Sequence, residues 1–111
     1  LLVLSTCPSA EVARAVAERL LADRLAACVT MLPAARSWYR WQGVVETAEE
    51  WPILIKTTED RYPDLETVLA EIHPYDVPEI LAFEAVRGLD AYVAWIQAET
   101  SSVPASGTLA E

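Results

Sequence analysis

Glycine, histidine, cysteine and positive charge are all scarce in this chain, and each shortage removes a class of function. Three glycines scattered over 111 residues leave no glycine-rich loop to cradle a phosphate and no nucleophile elbow. One histidine, His73, cannot build a His-Glu-x-x-His metalloprotease helix. Two cysteines, Cys7 and Cys28, are too few for the disulfide framework of a small secreted domain and form no Cys-x-x-Cys, so reduced thiols are expected. Eight basic residues stand against 17 acidic ones, for a net charge of −9 and a pI near 4.5. Such a surface repels phosphate backbones and anionic lipids, so neither nucleic acid nor a membrane is an expected partner. No apolar run approaches the roughly 20 residues of a membrane-spanning helix, and Leu1 to Leu4 has no basic segment before it that would make a signal peptide. The cytoplasm is the expected compartment. Lys56, the single lysine, beside Glu46 or Glu79 is the nearest approach to an acid–base pair, but a strand lysine is usually an ion-pair partner or an apolar cover, and no enzyme is expected.

What the chain has in quantity is apolar residues, 53% of the total, enough for one compact domain with its own core. Leu1 to Thr6 reads as a short buried strand closed by Cys7-Pro8. Ser9 stands at an N-cap position, and Val12, Val16 and Leu20 recur at helical spacing, predicting a helix over 10–23. Cys28 to Leu32 is a strand that Pro33 interrupts. It resumes through Ser37-Trp38-Tyr39-Arg40-Trp41, turns at Gln42-Gly43 and returns through Val44-Val45-Glu46, with a further strand over 51–58. Pro63 suits a first helical turn, and Leu65, Val68, Leu69 and Ile72 fall at helical spacing up to His73-Pro74. A strand over 79–86, a turn at Arg87-Gly88 and a short third helix over 89–96 follow. Residues 1–99 are expected to form the domain and 100–111 a flexible tail.

The order β-α-β-β-α-β is the split arrangement of an α+β, ferredoxin-like fold: a four-stranded antiparallel sheet with two helices on one face, here with a long hairpin and a short C-terminal helix. The other face needs a cover. Trp38, Tyr39, Trp41 and Trp51 are a large aromatic load for one hairpin, and burial in an oligomer is expected for them.

The segment His73-Pro74-Tyr75-Asp76-Val77-Pro78-Glu79 draws functional attention because two prolines stiffen the backbone between an imidazole and a carboxylate. His73 and Glu79 together suit copper(II), zinc or nickel when other donors complete the shell, although a lone histidine after a helix is often only a partner for the helix's negative end. Cys7, just before a helix, is a weaker candidate for a reactive thiol.

Several motifs in order then suggest a family: Thr6-Cys7-Pro8, Leu25-Ala26-Ala27-Cys28-Val29, Trp38-Tyr39-Arg40-Trp41-Gln42-Gly43, Ile55-Lys56-Thr57, the 73–79 segment and Tyr92-Val93-Ala94-Trp95. With these the chain resembles the CutA divalent-ion tolerance proteins over most of residues 1–98. The resemblance implies a ferredoxin-like subunit in a tight homotrimer, hairpins pairing across subunits, and a link to tolerance of divalent metals, copper above all. It adds Cys28 as a candidate ligand, although a cysteine between Ala27 and Val29 also reads as a small buried hydrophobe. Some members carry a cysteine in the first strand and a His-His pair; here those positions hold Ser5 and Ile72-His73. The implied site is a weak, exchangeable one for copper(II) or another divalent cation, with Glu46, Glu49 or Glu50 of a neighbouring subunit as possible further donors. Two other readings stand beside it. One is a small-ligand signalling module of the trimeric nitrogen-regulatory type, its cleft formed by Lys56, Tyr75 and Trp95. The other is a structural trimer that anchors a partner protein.

Overall fold

The computed structural model describes residues 1–101. In chain order the elements are β1 (Leu2–Cys7), α1 (Ala10–Ala22), β2 (Cys28–Met31), β3 (Ala35–Trp41), β4 (Val44–Lys56), α2 (Tyr62–Ile72), β5 (Leu81–Phe83) and α3 (Asp90–Glu99). The strands are antiparallel in the order β2-β4-β1-β5, and β3 pairs with the far half of β4. This is the expected α+β architecture.

Local chemistry accounts for most boundaries. Ser9 is extended and its hydroxyl accepts the Val12 N–H at 3.1 Å, a cap worth about 1 kcal/mol. Gln42 and Gly43 both have positive φ, 50° and 83°, the backbone hand that a two-residue hairpin needs to match the twist of its strands. Pro33 separates β2 from β3, and the Leu32 N–H bonds to the Pro52 carbonyl at 2.9 Å before the chain leaves the ladder.

Two expectations need adjusting. The segments 44–46 and 51–58 are parts of one 13-residue strand, β4, which ends at Lys56. The last strand is only Leu81–Phe83, because among the described residues β5 pairs with Leu2 to Leu4 alone and no other strand holds its flanks in a ladder. Of the anticipated tail, residues 102–111 lie outside the described residues. Thr100 is buried and its hydroxyl donates to the Ile96 carbonyl at 2.8 Å.

Alternation along β1 buries Val3, Ser5 and Cys7 towards the helices, where Ile53 and Ile55 of β4 join them. Val16 and Leu20 of α1, with Leu65 and Leu69 of α2, close this core from the other side. Packing of these faces, more than helix propensity, holds two helices of 13 and 11 residues in place. Leu2, Leu4 and Thr6 point to the opposite face with Leu54 and Lys56, and beyond them Leu81 and Phe83 are about half exposed. α1 and α2 both pack on the other side of the sheet. The hairpin of β3 and β4 runs past the helices, in a chain whose principal extents are 53 × 27 × 24 Å.

Among the described residues Ser5 Oγ is a buried side-chain polar atom without a hydrogen-bond partner. An unmade bond of this kind costs about 1–3 kcal/mol. Ser5→Ala should therefore raise the unfolding free energy by about 1 kcal/mol in a urea titration; an unchanged or lowered midpoint would mean that the hydroxyl is satisfied in solution.

Candidate functional site

The turn after α2 carries the chain around the Cys7 end of β1 to the face of the sheet opposite α1 and α2. His73 caps α2 in extended conformation and is almost fully buried. Its Nδ1 accepts the Tyr75 N–H at 3.1 Å, and Nε2 lies 2.7 Å from the Thr6 carbonyl. A backbone N–H can only donate, so the neutral ring carries its proton on Nε2 and gives it to Thr6. The imidazole is a strut between β1 and the turn, with both nitrogens engaged. The Tyr75 ring lies against it, 4.7 Å between centroids.

Tyr75 then reaches Glu50 of β4. Its hydroxyl donates to Glu50 Oε2 at 2.9 Å, and the Thr6 hydroxyl donates to the same oxygen at 3.3 Å. Burial, with these bonds to Glu50, pushes the Tyr75 phenol up to about 12. Glu79 also faces this carboxylate. Burial, and then the charge of Glu50, raises its pKa from its ordinary value. Cys7, on the helix side of β1, is pushed up to about 11 by burial and by Glu50. The helix that follows Cys7 does not activate it; its thiol is held protonated.

Between the turn and the hairpin lies an open cavity of about 620 Å³, lined by Tyr39, Glu46, Glu50, Tyr75, Asp76 and Glu79 among others. In the β3–β4 register Tyr39 is opposite Glu46, so alternation puts Tyr39, Trp41, Glu46 and Glu50 on one face of the hairpin. A second cavity, about 850 Å³, lies beside α3 at the other end of β1 and is lined by Lys56, Arg61 and Tyr92 among others.

The residues picked from the sequence are only partly gathered. His73 and Glu79 both belong to the turn at the Thr6 end. Cys28 is paired with Lys56, which is opposite Leu2, four residues away along β1 or about 13 Å at the rise of a strand. There its Sγ lies 3.9 Å from Lys56 Nζ. Among the described residues no three His, Cys, Asp or Glu side chains come together to hold a metal ion. Lys56 and Tyr75 line different cavities, and Trp95 stacks on Tyr92 at 5.6 Å. Of the four aromatics expected at an interface, Trp38, Tyr39 and Trp41 are exposed, Trp38 to 68%, whereas Trp51 packs against the chain's own core. Sequence reasoning named Glu50 only as a possible donor from a neighbour's hairpin and missed it as a hydrogen-bonding hub within its own chain. The signal was there: alternation from Leu54 through Pro52 puts Glu50 on a face whose neighbours are apolar.

Comparison with known proteins decides the family. The model of the CutA1 divalent ion tolerance protein matches residues 1–99. The chain belongs to the CutA1 family. Thermus thermophilus has a divalent-cation tolerance protein CutA that is 45% identical over 98 residues, which are 88% of this chain and 95% of that protein. A solved structure of the Thermus protein superposes with a TM-score of 0.88 at 44% identity, covering 90% of this chain and 97% of its own. Mouse protein CutA is 38% identical over 103 residues, 93% of this chain, which spans only 58% of the mouse protein's length. The periplasmic divalent cation tolerance protein CutA of Archaeoglobus fulgidus superposes with a TM-score of 0.87 at 32% identity, covering 90% of this chain and 97% of its own. No helix of this CutA1-family chain, among the described residues, is long and apolar enough to cross a membrane.

Two outcomes test the electrostatics of the site. Cys7 is buried and its thiol is held protonated, so native protein treated with iodoacetamide at pH 8 should be modified at Cys28 well before Cys7, as read by peptide mass; unfolding in urea should abolish the difference. For Glu79 the folded pKa lies above the unfolded value, so its stabilising contribution is complete below the unfolded pKa and is lost as pH rises through the folded one. Glu79→Gln should therefore stabilise the protein at pH 7 and have little effect at pH 4 in paired urea titrations. An equal effect at both pH values would remove the charge argument.

Proposed function

We propose that this protein acts in divalent-cation tolerance as a homotrimer that binds copper(II) or another divalent ion weakly and exchangeably, and that it is not an enzyme. The observation that supports this reading, besides family membership, is that two carboxylates, Glu50 and Glu79, line one cavity. A divalent cation relieves the repulsion between them, and Glu79 is its first oxygen donor. His73 becomes a ligand only by releasing the Tyr75 N–H from Nδ1, which makes its contribution costly and the site weak. Cys28 is too far along the sheet to join the turn within one chain and enters, like Glu49, from a second subunit, whereas Glu46 lines the same cavity.

The trimer is supported by what one subunit leaves uncovered. Trp38, Tyr39 and Trp41 on the hairpin, Leu81 and Phe83 on the sheet, and Tyr92 and Trp95 on α3 are all at least 40% exposed. A single chain rarely leaves that much aromatic surface to water. The cytoplasm belongs to the same proposal: two free thiols suit a reducing compartment, although the Archaeoglobus relative is periplasmic.

Copper(II) calorimetry, with light scattering on the same sample, tests the whole reading. A mass of three chains and a binding heat that weakens about tenfold in both Glu79→Gln and His73→Ala are expected. A monomer in solution would remove the trimer, and copper binding indifferent to both substitutions would move the metal away from the turn.

A further inference from the structure

Lys56 is the chain's one lysine, and it belongs to neither of the ion pairs among the described residues, although 17 acidic residues outnumber eight basic ones. Its Nζ lies instead 3.9 Å from Cys28 Sγ and 3.4 Å from the Thr30 hydroxyl, and that hydroxyl is 3.8 Å from the same sulfur. An amine, a thiol and a hydroxyl thus converge on the face of the sheet opposite α1 and α2. Cys28 and Thr30 sit at the β2 edge, with β4 and β1 between them and the exposed Leu81 and Phe83 of β5. All three side chains are half-buried, so a small reagent reaches the sulfur.

Backbone register holds the amine and the thiol together. Cys28 is directly opposite Lys56 in the antiparallel ladder, and Lys56 is fixed from its other side by Leu2. The Cβ atoms of such a pair are about 4.5–5.5 Å apart, and the flexible four-carbon stem of lysine lets its nitrogen close on the sulfur without moving either strand. A thiol oxidised to a sulfenic acid condenses with a second thiol or with a nitrogen within reach. The other thiol is out of reach: Cys7 faces the helices, five residues along β1 from Leu2 or about 17 Å at the rise of a strand. Lys56 supplies the nitrogen.

We propose that Cys28 and Lys56 are a modification site at which peroxide drives a sulfenamide cross-link between β2 and β4. The Cys28 sulfur attacks hydrogen peroxide and the O–O bond breaks, leaving a sulfenic acid and one water. Lys56, having given its ammonium proton to solvent, attacks that sulfur. An S–N bond forms, the S–O bond breaks, and the leaving hydroxide takes up a proton as the second water. Sulfur is oxidised by two electrons and peroxide is reduced by two. A dithiol reverses the step, returning the thiol and the amine and becoming a disulfide itself. The cross-link ties the edge strand β2 covalently to β4 and withdraws the thiol of Cys28. It requires no metal and does not rest on the divalent-ion reading.

The test treats the full chain with hydrogen peroxide in the presence of a chelator and digests it without reductant for peptide mass spectrometry. The peptides carrying Cys28 and Lys56 should be recovered joined, from the single-chain band of a denaturing gel, at their summed mass less two hydrogens, and dithiothreitol should separate them. Protein unfolded in urea should not join them, because only the register brings the pair together. Lys56→Arg keeps the positive charge without the amine, so it should give no joined peptide, and dimedone, which traps sulfenic acids, should label its Cys28 more than the parent's. Four results overturn the proposal: no joined peptide from the native parent, a joined peptide that retains an oxygen of the peroxide, joining only between two chains, or equal dimedone labelling of the parent and Lys56→Arg. Should Lys56→Arg fail to fold, the parent's joined peptide and its loss in urea decide alone. No readout involves a divalent ion, so this proposal and the metal reading fail independently.

Discussion

Pairing along β4 is the constraint on which the rest of the fold depends. Its inner half, from Trp51 to Lys56, is held between β1 and β2 and contributes Ile53 and Ile55 to the core. Its outer half, from Val44 to Glu50, has only β3 for a neighbour. One continuous strand thus transmits the rigidity of a packed core to a hairpin with little core of its own. Glu50 lies at the junction, which is why a carboxylate there can be both buried and presented to a cavity.

That junction also explains how one side chain reaches so many others. Thr6 arrives from β1, Tyr75 from the turn, and Glu79 faces the same charge, while His73 fixes the turn by bonding the backbone of Thr6. The turn is therefore anchored to the sheet twice, once through an imidazole and once through a phenol. The prolines at 74 and 78 limit the backbone between these anchors, so little conformational entropy is left to lose when something binds.

The fold was legible in the sequence because local signals agreed with one another. Ser9, Gln42-Gly43, Pro63 and the helical spacing of Val16 with Leu20 and of Leu65 with Leu69 each pointed to the element that forms. The last strand was read too long because Glu79 to Val86 has strand-like composition, and composition carries no information about whether a partner strand is in reach. The site was less legible for the same reason. His73 and Glu79 are near in sequence and share the turn, but the Cys28 end of β2 and the Thr6 end of β1 are set apart by register, which alternation alone does not reveal. Glu50 was named as a possible donor from a neighbour's hairpin, and its place within its own chain showed in the sequence as a charge among apolar neighbours. Its partners come from segments 25 and 44 residues away.

Arg24, in left-handed conformation just after α1, donates from Nε to the Ser101 carbonyl and from Nη2 to that of Ala98, both at 3.1 Å. These bonds hold the negative end of α3, whereas Leu89 gives its first turn no side-chain cap and no residue of the helix is buried. The helix is moored by its stern. Fraying is therefore expected at the Leu89 end, with the Thr100 end as the anchored one.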